Sequence, residues 1–297
     1  MRLPALAVPL AAVAACAQPA PSADADARRA DSVVAVPAPP VAADSLAVTE
    51  TSVPLGDGAV TVRVWTAPIP DPLGTPAFET FPLNALNLHD DEDTSVEAAL
   101  AVLRERGGRV VELVHSGERN VTFTAGGRTY VADPNRMFTP AGRARTLASL
   151  TPGYDDAAGG AGREALAAFA DRVLALYAAV PPAVVVTLHN NTADGYSAAS
   201  YGRGGPYATD AAAVTVRDGA DPDDFFFVTD RALYDRLVAA GFNAVLQDND
   251  AATDDGSLSV WAAREGAPYV NVEAERGHLA EQTRMVAALV DVLGDRP

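Results

Sequence analysis

The chain has 297 residues, 48% of them hydrophobic, which is ample for one domain with a sizeable core. Its formal charge of −17 argues against nucleic acid as a partner, because a phosphate backbone would be repelled rather than neutralised. All 22 basic residues are arginine, a surface property that carries no chemistry by itself.

The N-terminus opens with Arg2, an apolar run from Leu3 to Val13 and small residues leading to Cys16. That layout predicts a secretory signal over residues 1–15, too short to span a membrane. The segment VAAC resembles a bacterial lipobox, which makes Cys16 the expected lipidation site and the protein an exported, membrane-anchored lipoprotein of the cell envelope. Cys16 is the only cysteine, so no internal disulfide is possible. Residues 16–50, rich in Ala, Pro, Asp and Ser, have little to bury and suit an extended tether. One folded domain is expected over 51–297.

Along that domain, residues 59–67 alternate like a strand. FPLNALNLH (81–89) reads as a buried strand ending at His89. Residues 94–106 have helical spacing, with Thr94 or Ser95 as N-cap and Gly107-Gly108 as the stop. RVVELVHSG (109–117) is the next strand, and residues 119–138 read as a hairpin around Gly126-Gly127 running into an irregular loop. A helix is expected over 163–179, stopped by Pro181-Pro182, followed by the continuous apolar strand AVVVTLH (183–189). DFFFVTD, NAVLQD, LSVWAA and PYVNVEAE are further strand candidates, with helices over 230–240 and 279–293. Strands alternating with helices predict an α/β domain with a mixed, mostly parallel central sheet flanked by helices on both faces. Ligands gather at the carboxyl ends of strands in such sheets.

Three strand ends carry groups foreign to a core: His89 with Glu92, then His189, then Glu273 with Glu275. Two imidazoles and a carboxylate, with one position left for water, form a catalytic zinc set, and a further carboxylate serves as general base. Glu273 and Glu275 lie two apart on one strand, so either can fill that role on spacing alone. The residues between His89 and Thr94 also admit a different reading, an acidic helix N-terminus favoured by the dipole.

Read together, HDDE (89–92), DPNRMF (133–138), LHNNT (188–192) and VNVEAERG (270–277) resemble the zinc carboxypeptidase superfamily, most closely its aspartoacylase/succinylglutamate desuccinylase branch. The four motifs occur in the family's order and span roughly residues 80 to 290. The resemblance implies His89, Glu92 and His189 as zinc ligands and Glu273 as the catalytic base. It implies Asn135 and Arg136 as holders of a substrate carboxylate, and Asp133 as acceptor from a liganding histidine. Arg128 is implied as the oxyanion partner, with Arg119 as fallback. Two departures stand out: Asp90 replaces the glycine after the first histidine, and Pro134 replaces the leucine of the arginine loop. The expected activity is zinc-dependent hydrolysis of an amide in a carboxylate-bearing substrate, by a carboxypeptidase or an N-acyl-amino-acid deacylase. Two other readings compete with it: a non-catalytic binding lipoprotein on the same fold, with Glu273 turned away, and an oxygen-rich calcium or magnesium loop at HDDED, with His189 far from His89. His115 and His278 read as surface or satisfied histidines, and Tyr196 and Tyr201 as candidate substrate contacts in a Gly- and Ser-rich loop.

Overall fold

A computed structural model describes residues 46–69, 83–193 and 195–294, all within the unit Ala38–Pro297. The signal, Cys16 and nearly all of the tether lie outside the described residues.

Nine strands form one sheet. In chain order they are β1 (Ala47–Leu55), β2 (Gly58–Ala67), β3 (Asn84–Asn87), β4 (Gly108–Val114), β7 (Val185–Asn191), β8 (Ala211–Thr215), β9 (Phe225–Val228), β10 (Ala244–Gln247) and β11 (Tyr269–Glu275). Their spatial order is β1-β2-β4-β3-β7-β11-β9-β10-β8. The central four, β4-β3-β7-β11, run parallel, and antiparallel pairs flank them on both sides. The remaining strands, β5 (Val121–Ala125) and β6 (Arg128–Ala132), form a separate hairpin. The helices are α1 (Asp93–Arg106), α2 (Pro140–Leu150), α3 (Gly160–Tyr177), α4 (Arg231–Ala239), α5 (Leu258–Arg264) and α6 (Leu279–Gly294).

Side-chain alternation explains the layering. Successive residues of a strand point to opposite faces, and here Phe225 and Phe227 enter one apolar cluster while Phe226 and Val228 enter the other. One cluster is closed by α3 and α5 through Phe169, Val173, Leu258 and Ala262. The other is closed by α1, α4 and α6 through Leu103, Leu237 and Leu289. Strands covered on both sides favour apolar residues in succession, as in β9 (FFFV), while β3 and β7 are equally buried but place Asn84, Asn87 and Thr187 among their apolar residues and end in polar ones. Each fully buried Leu or Phe contributes roughly 1.5–3 kcal/mol of transfer free energy, so much of the fold's stabilisation comes from this sandwiched centre.

Four expectations need correction. LSVWAA is helix α5, not a strand: Leu258, Trp261 and Ala262 meet one cluster at i, i+3, i+4 spacing, which a six-residue apolar run does not distinguish from a strand. The loop after the hairpin contains helix α2, started by Thr139, whose Oγ1 accepts from Gly142 N–H at 3.0 Å, and by Pro140 at the first helical position. The first described strand, β1, starts four residues before the expected boundary at 51, with Ala47 to Leu55 paired in register with β2. Edge strand β8, paired to β10, was not expected at all. Among the described residues no helix is long and apolar enough to cross a membrane.

Candidate metal centre

The parallel neighbours β3, β7 and β11 deliver the polar residues to one place. β3 pairs with β7, so the chain leaving β3 carries His89 alongside His189 near the end of β7. The β7–β11 register sets Glu273 directly opposite His189. Glu92 is brought back by a tight turn, its N–H bonded to His89 O at 3.2 Å, just before α1 begins.

All three candidate ligands are buried and face one another. Glu92 Oε1 lies 2.8 Å from His89 Nδ1, Glu92 Oε2 lies 2.8 Å from His189 Nδ1, and the two Nδ1 atoms are 3.1 Å apart. His89 Nε2 is 2.8 Å from Asp133 Oδ1. Burial opposes a charge on His89, but Glu92 and then Asp133 outweigh it and lift the ring to about 9. Burial prevails at His189 and lowers it, against the pull of Glu92. Glu92 resists burial and is held well below the usual carboxylate range by the two imidazoles. Both ring nitrogens thus lie within hydrogen-bond distance of one buried carboxylate.

That arrangement fits a cation. A tetrahedral zinc with ligands at ~2.1 Å spaces them ~3.4 Å apart, so the two nitrogens and the carboxylate need to spread by only a few tenths of an ångström. Asp133, bonded to the far nitrogen of His89, fixes the tautomer that leaves Nδ1 free for the ion. The oxygen-rich calcium or magnesium reading is overturned by the 3.1 Å approach of the two histidines. Its aspartates are also spent elsewhere. Asp90 accepts from His115 N–H at 2.6 Å and Gly117 N–H at 2.7 Å, Asp91 pairs with Arg276 at 2.8 Å, and Asp93 lies in the first turn of α1.

Behind the ligands, two buried amides tie their elements together. Asn190 Oδ1 accepts from Ser95 N–H at 2.9 Å, and its Nδ2 donates to Ala274 O at 3.1 Å and Gln282 Oε1 at 2.9 Å. Gln282 Nε2 in turn donates to His189 O at 2.9 Å. Thus α1, β7, β11 and α6 are laced directly under Glu92, His189 and Glu273, with both amides saturated.

In front lies a cavity of about 690 Å³, lined among others by Glu92, Arg119, Asn135, Arg136, His189 and Glu273. Glu273 shares this cavity with Glu92 and His189 and so does not face away, as the non-catalytic binding reading requires. Burial, joined by the charge of Glu92, pushes Glu273 up to about 8, although Asn271 Nδ2 donates to its Oε2 at 2.8 Å. Glu275 is past the cavity, 3.7 Å from His278, which pairs mainly with Asp224. Asn135 takes an N–H bond from Leu258 at 3.2 Å and sets its amide nitrogen 3.4 Å from His189 Nε2. Arg136 faces the cavity beside Asp255.

Arg128 is the site residue that the structure does not bring in. It is exposed on the hairpin, reaching Gly153 O at 3.5 Å, and does not line the cavity. Arg119 stands there instead, its Nη1 2.7 Å from Glu92 Oε1 and its Nη2 3.8 Å from Asp133. Tyr196 and Tyr201 line the cavity with their hydroxyls 2.7 Å apart. Asp255, Asp210, Tyr207 and Gln247 also line it and were not singled out from sequence. The DDGS segment at 254–257 carries the first of these, but it reads as ordinary turn chemistry.

No family model matches this sequence, and no curated protein does. Among solved structures, the chain is similar to murein-tripeptide amidase MpaA from Escherichia coli O157, at 15% identity and a TM-score of 0.40, covering 84% of this chain and 92% of that one. It is also similar to two proteins provisionally described as metallopeptidases. That from Shewanella denitrificans OS217 is 13% identical with a TM-score of 0.37, covering 83% and 82% of the two chains. That from Shewanella amazonensis SB2B is 16% identical with a TM-score of 0.34, covering 82% and 85%.

Proposed function

We propose that this chain is a metal-dependent amide hydrolase that binds zinc through His89, Glu92 and His189 and cleaves substrates bearing a free carboxylate. The observation that carries the reading is the convergence of two imidazole nitrogens and one carboxylate, within 3.1 Å of one another, beside a cavity that also holds Glu273. When bound, zinc supplies Lewis-acid polarisation of the scissile carbonyl and makes water more acidic. Glu273 takes the proton of the attacking water at the oxygen not held by Asn271 and delivers it to the leaving nitrogen as the C–N bond breaks. Glu273, raised to about 8 by burial and the charge of Glu92, would serve as the base in its ionised form, which the charge of a bound cation would favour. Arg119 offsets the charge developing on the carbonyl oxygen, the role that Arg128 is too distant to serve. Asn135 and the planar fork of Arg136 hold the substrate carboxylate. A peptide substrate suits an exported enzyme better than a cytosolic metabolite, so we favour the peptidase form over the deacylase.

The test is elemental analysis of the full chain beside His189→Ala, with circular dichroism as folding control. About one zinc per chain, lost in the folded variant, supports the reading, and Glu273→Gln should then keep zinc while losing hydrolysis. Zinc that is absent, or indifferent to His189, sinks it. Lipid anchorage at Cys16 belongs to the same proposal and is checked separately, by incorporation of labelled palmitate that Cys16→Ser abolishes.

A further inference from the structure

Asp90 stands next to a candidate ligand, yet the chemistry above gives it no part. It lies in the turn between His89 and Glu92, one position after the histidine. Strands β3 and β4 run parallel with Asn87 opposite Glu112, so three residues further along each chain Asp90 comes beside His115. There Asp90 Oδ2 accepts from two backbone donors, His115 N–H at 2.6 Å and Gly117 N–H at 2.7 Å. The loop bends at Gly117, which takes φ +73°, a region that glycine enters without steric cost. Bonds from N–H groups to a carboxylate are charge-assisted and about twice as strong as neutral ones. Asp90 makes no other hydrogen bond among the described residues, and its remaining close approach is to His115 Nδ1 at 3.9 Å.

The anchored loop is the one that carries Arg119. Among the described residues no backbone–backbone hydrogen bond outside the strand ladders involves residues 115–120, so the loop backbone depends on Asp90 for its tie to the site. Arg119 reaches Glu92 at 2.7 Å although its side chain is 44% exposed. These contacts close a circuit: Glu92 and Asp90 share one turn, Asp90 holds the loop, and the loop returns Arg119 to Glu92. The ion pair alone is a poor support for Arg119. A cation on Glu92 shares the charge of that carboxylate and repels the guanidinium, so the pull on Arg119 weakens when the site is filled. The two bonds at Asp90 involve no ligand side chain and persist through that event.

We propose that Asp90 is a positioning residue, which holds the 115–119 loop through His115 and Gly117 and so keeps Arg119 at the scissile carbonyl while metal is bound. A glycine at this position, the residue that the resemblance leads one to expect, has no side chain with which to do so. The inference rests on the hydrolase reading above and on Arg119 as the oxyanion partner.

The test compares wild type, Asp90→Ala and Asp90→Asn as full-length proteins, with circular dichroism as folding control. Phenylglyoxal modification of Arg119, followed by peptide mapping, should run roughly fivefold faster in zinc-loaded Asp90→Ala than in wild type, the factor that a hydrogen bond of ordinary strength commands. Without zinc, where Glu92 also holds Arg119, the increase should be about twofold. Asp90→Asn should stay near the wild-type rate, because one amide oxygen can accept from both donors. In turnover, Asp90→Ala should lower kcat about 10- to 100-fold with KM and zinc content kept, short of the roughly 10²–10³ for removing an oxyanion donor outright. Asp90→Asn should restore most of that loss. In an Arg119→Ala background the Asp90→Ala change should cost less than about threefold. An equal cost with and without Arg119, a loss that falls on KM or zinc content instead, or an Arg119 no more reactive in Asp90→Ala overturns the proposal. If Asp90→Ala does not fold, Asp90→Glu, which displaces the oxygen by one methylene, carries the same comparisons. If the wild type neither binds zinc nor hydrolyses an amide, the hydrolase reading fails by itself. Whether Asp90 holds Arg119 is then decided by the modification rates of the metal-free proteins.

Discussion

Partly buried Asp133 and buried Glu273 stand beside the same cation position, yet their environments push them in opposite directions. Burial disfavours charge on Asp133, but its bond to His89, reinforced by Arg136 and Arg119, holds it well below the usual carboxylate range. It is therefore a permanent acceptor that orients His89, and Asp133→Asn should weaken zinc about 10- to 100-fold in a chelator competition while the fold persists. Unchanged affinity would remove Asp133 from the site. Glu273 has no ion pair with a cationic side chain among the described residues, and burial, joined by the charge of Glu92, raises it to about 8. Glu273→Gln should keep zinc and lower kcat by roughly 10² to 10⁴, the range of a positioned proton carrier; a kcat within threefold of wild type would exclude it as base. His89, Glu92 and His189 stand out in the sequence as polar side chains at the ends of apolar strands, but their reading as ligands, and that of Asp133 as an acceptor, comes from the order of four motifs that resemble a known family. Arg128 and Arg119 were not separable. Arg119 precedes the hairpin and Arg128 lies on it, and spacing along the chain does not say which one turns inward.

At the scale of elements, the ligand geometry depends on how closely backbones meet. The 3₁₀ turn Pro134–Arg136 is pinned from below by Gly142 and from the side by Gly256, and neither position has room for a Cβ. Gly256→Ala adds a left-handed backbone cost of about 1–2 kcal/mol to the collision with Arg136 O. It should lower Tm and raise KM for carboxylate-bearing substrates by shifting Arg136, while leaving zinc content intact; an unchanged KM would show that the turn is not what seats Arg136. On the other side of the sheet, Asn190 and Gln282 lace α1 to β7 and β11. Gln282→Leu strands the buried amide of Asn190, at a cost of about 1–3 kcal/mol, and should lower zinc affinity along with Tm. Helices α1, α3, α4 and α6 and most central strands followed from periodicity. What periodicity missed, β1, β8, α2 and the helical nature of α5, are short or peripheral elements whose patterns fit more than one period. The Asn190–Gln282 lacing was invisible for a different reason: it joins residues 92 positions apart through polar side chains that look unremarkable in sequence.

Across the whole molecule the titrations combine into one pH signature. His89 has a folded pKa near 9, above its unfolded value of 6.5, so the stability it contributes is full below pH 6.5 and is lost as pH rises through 9. Glu273, raised from 4.5 to about 8, likewise favours the folded state while protonated, and that contribution disappears as pH climbs from 4.5 to 8. Glu92 and Asp133 are depressed and act only in the acid range, and His189 is lowered and costs stability as pH falls below 6.5, so none of the three opposes the trend above neutrality. The metal-free protein should therefore lose Tm between pH 6.5 and 9. Zinc must displace the His89 proton, so its apparent affinity should rise over the same window. At a free zinc concentration 100 times Kd, binding adds about 2.7 kcal/mol to folding. The gap in Tm between zinc-saturated and chelator-treated protein should thus be widest near pH 9 and narrowest near pH 6.5. Glu273→Gln should flatten the metal-free slope, since the amide keeps the shape of the acid without its charge. A metal-free Tm level across this range, or a slope that survives in Glu273→Gln and His89→Gln alike, would mean that the buried cluster does not hold the protons assigned to it.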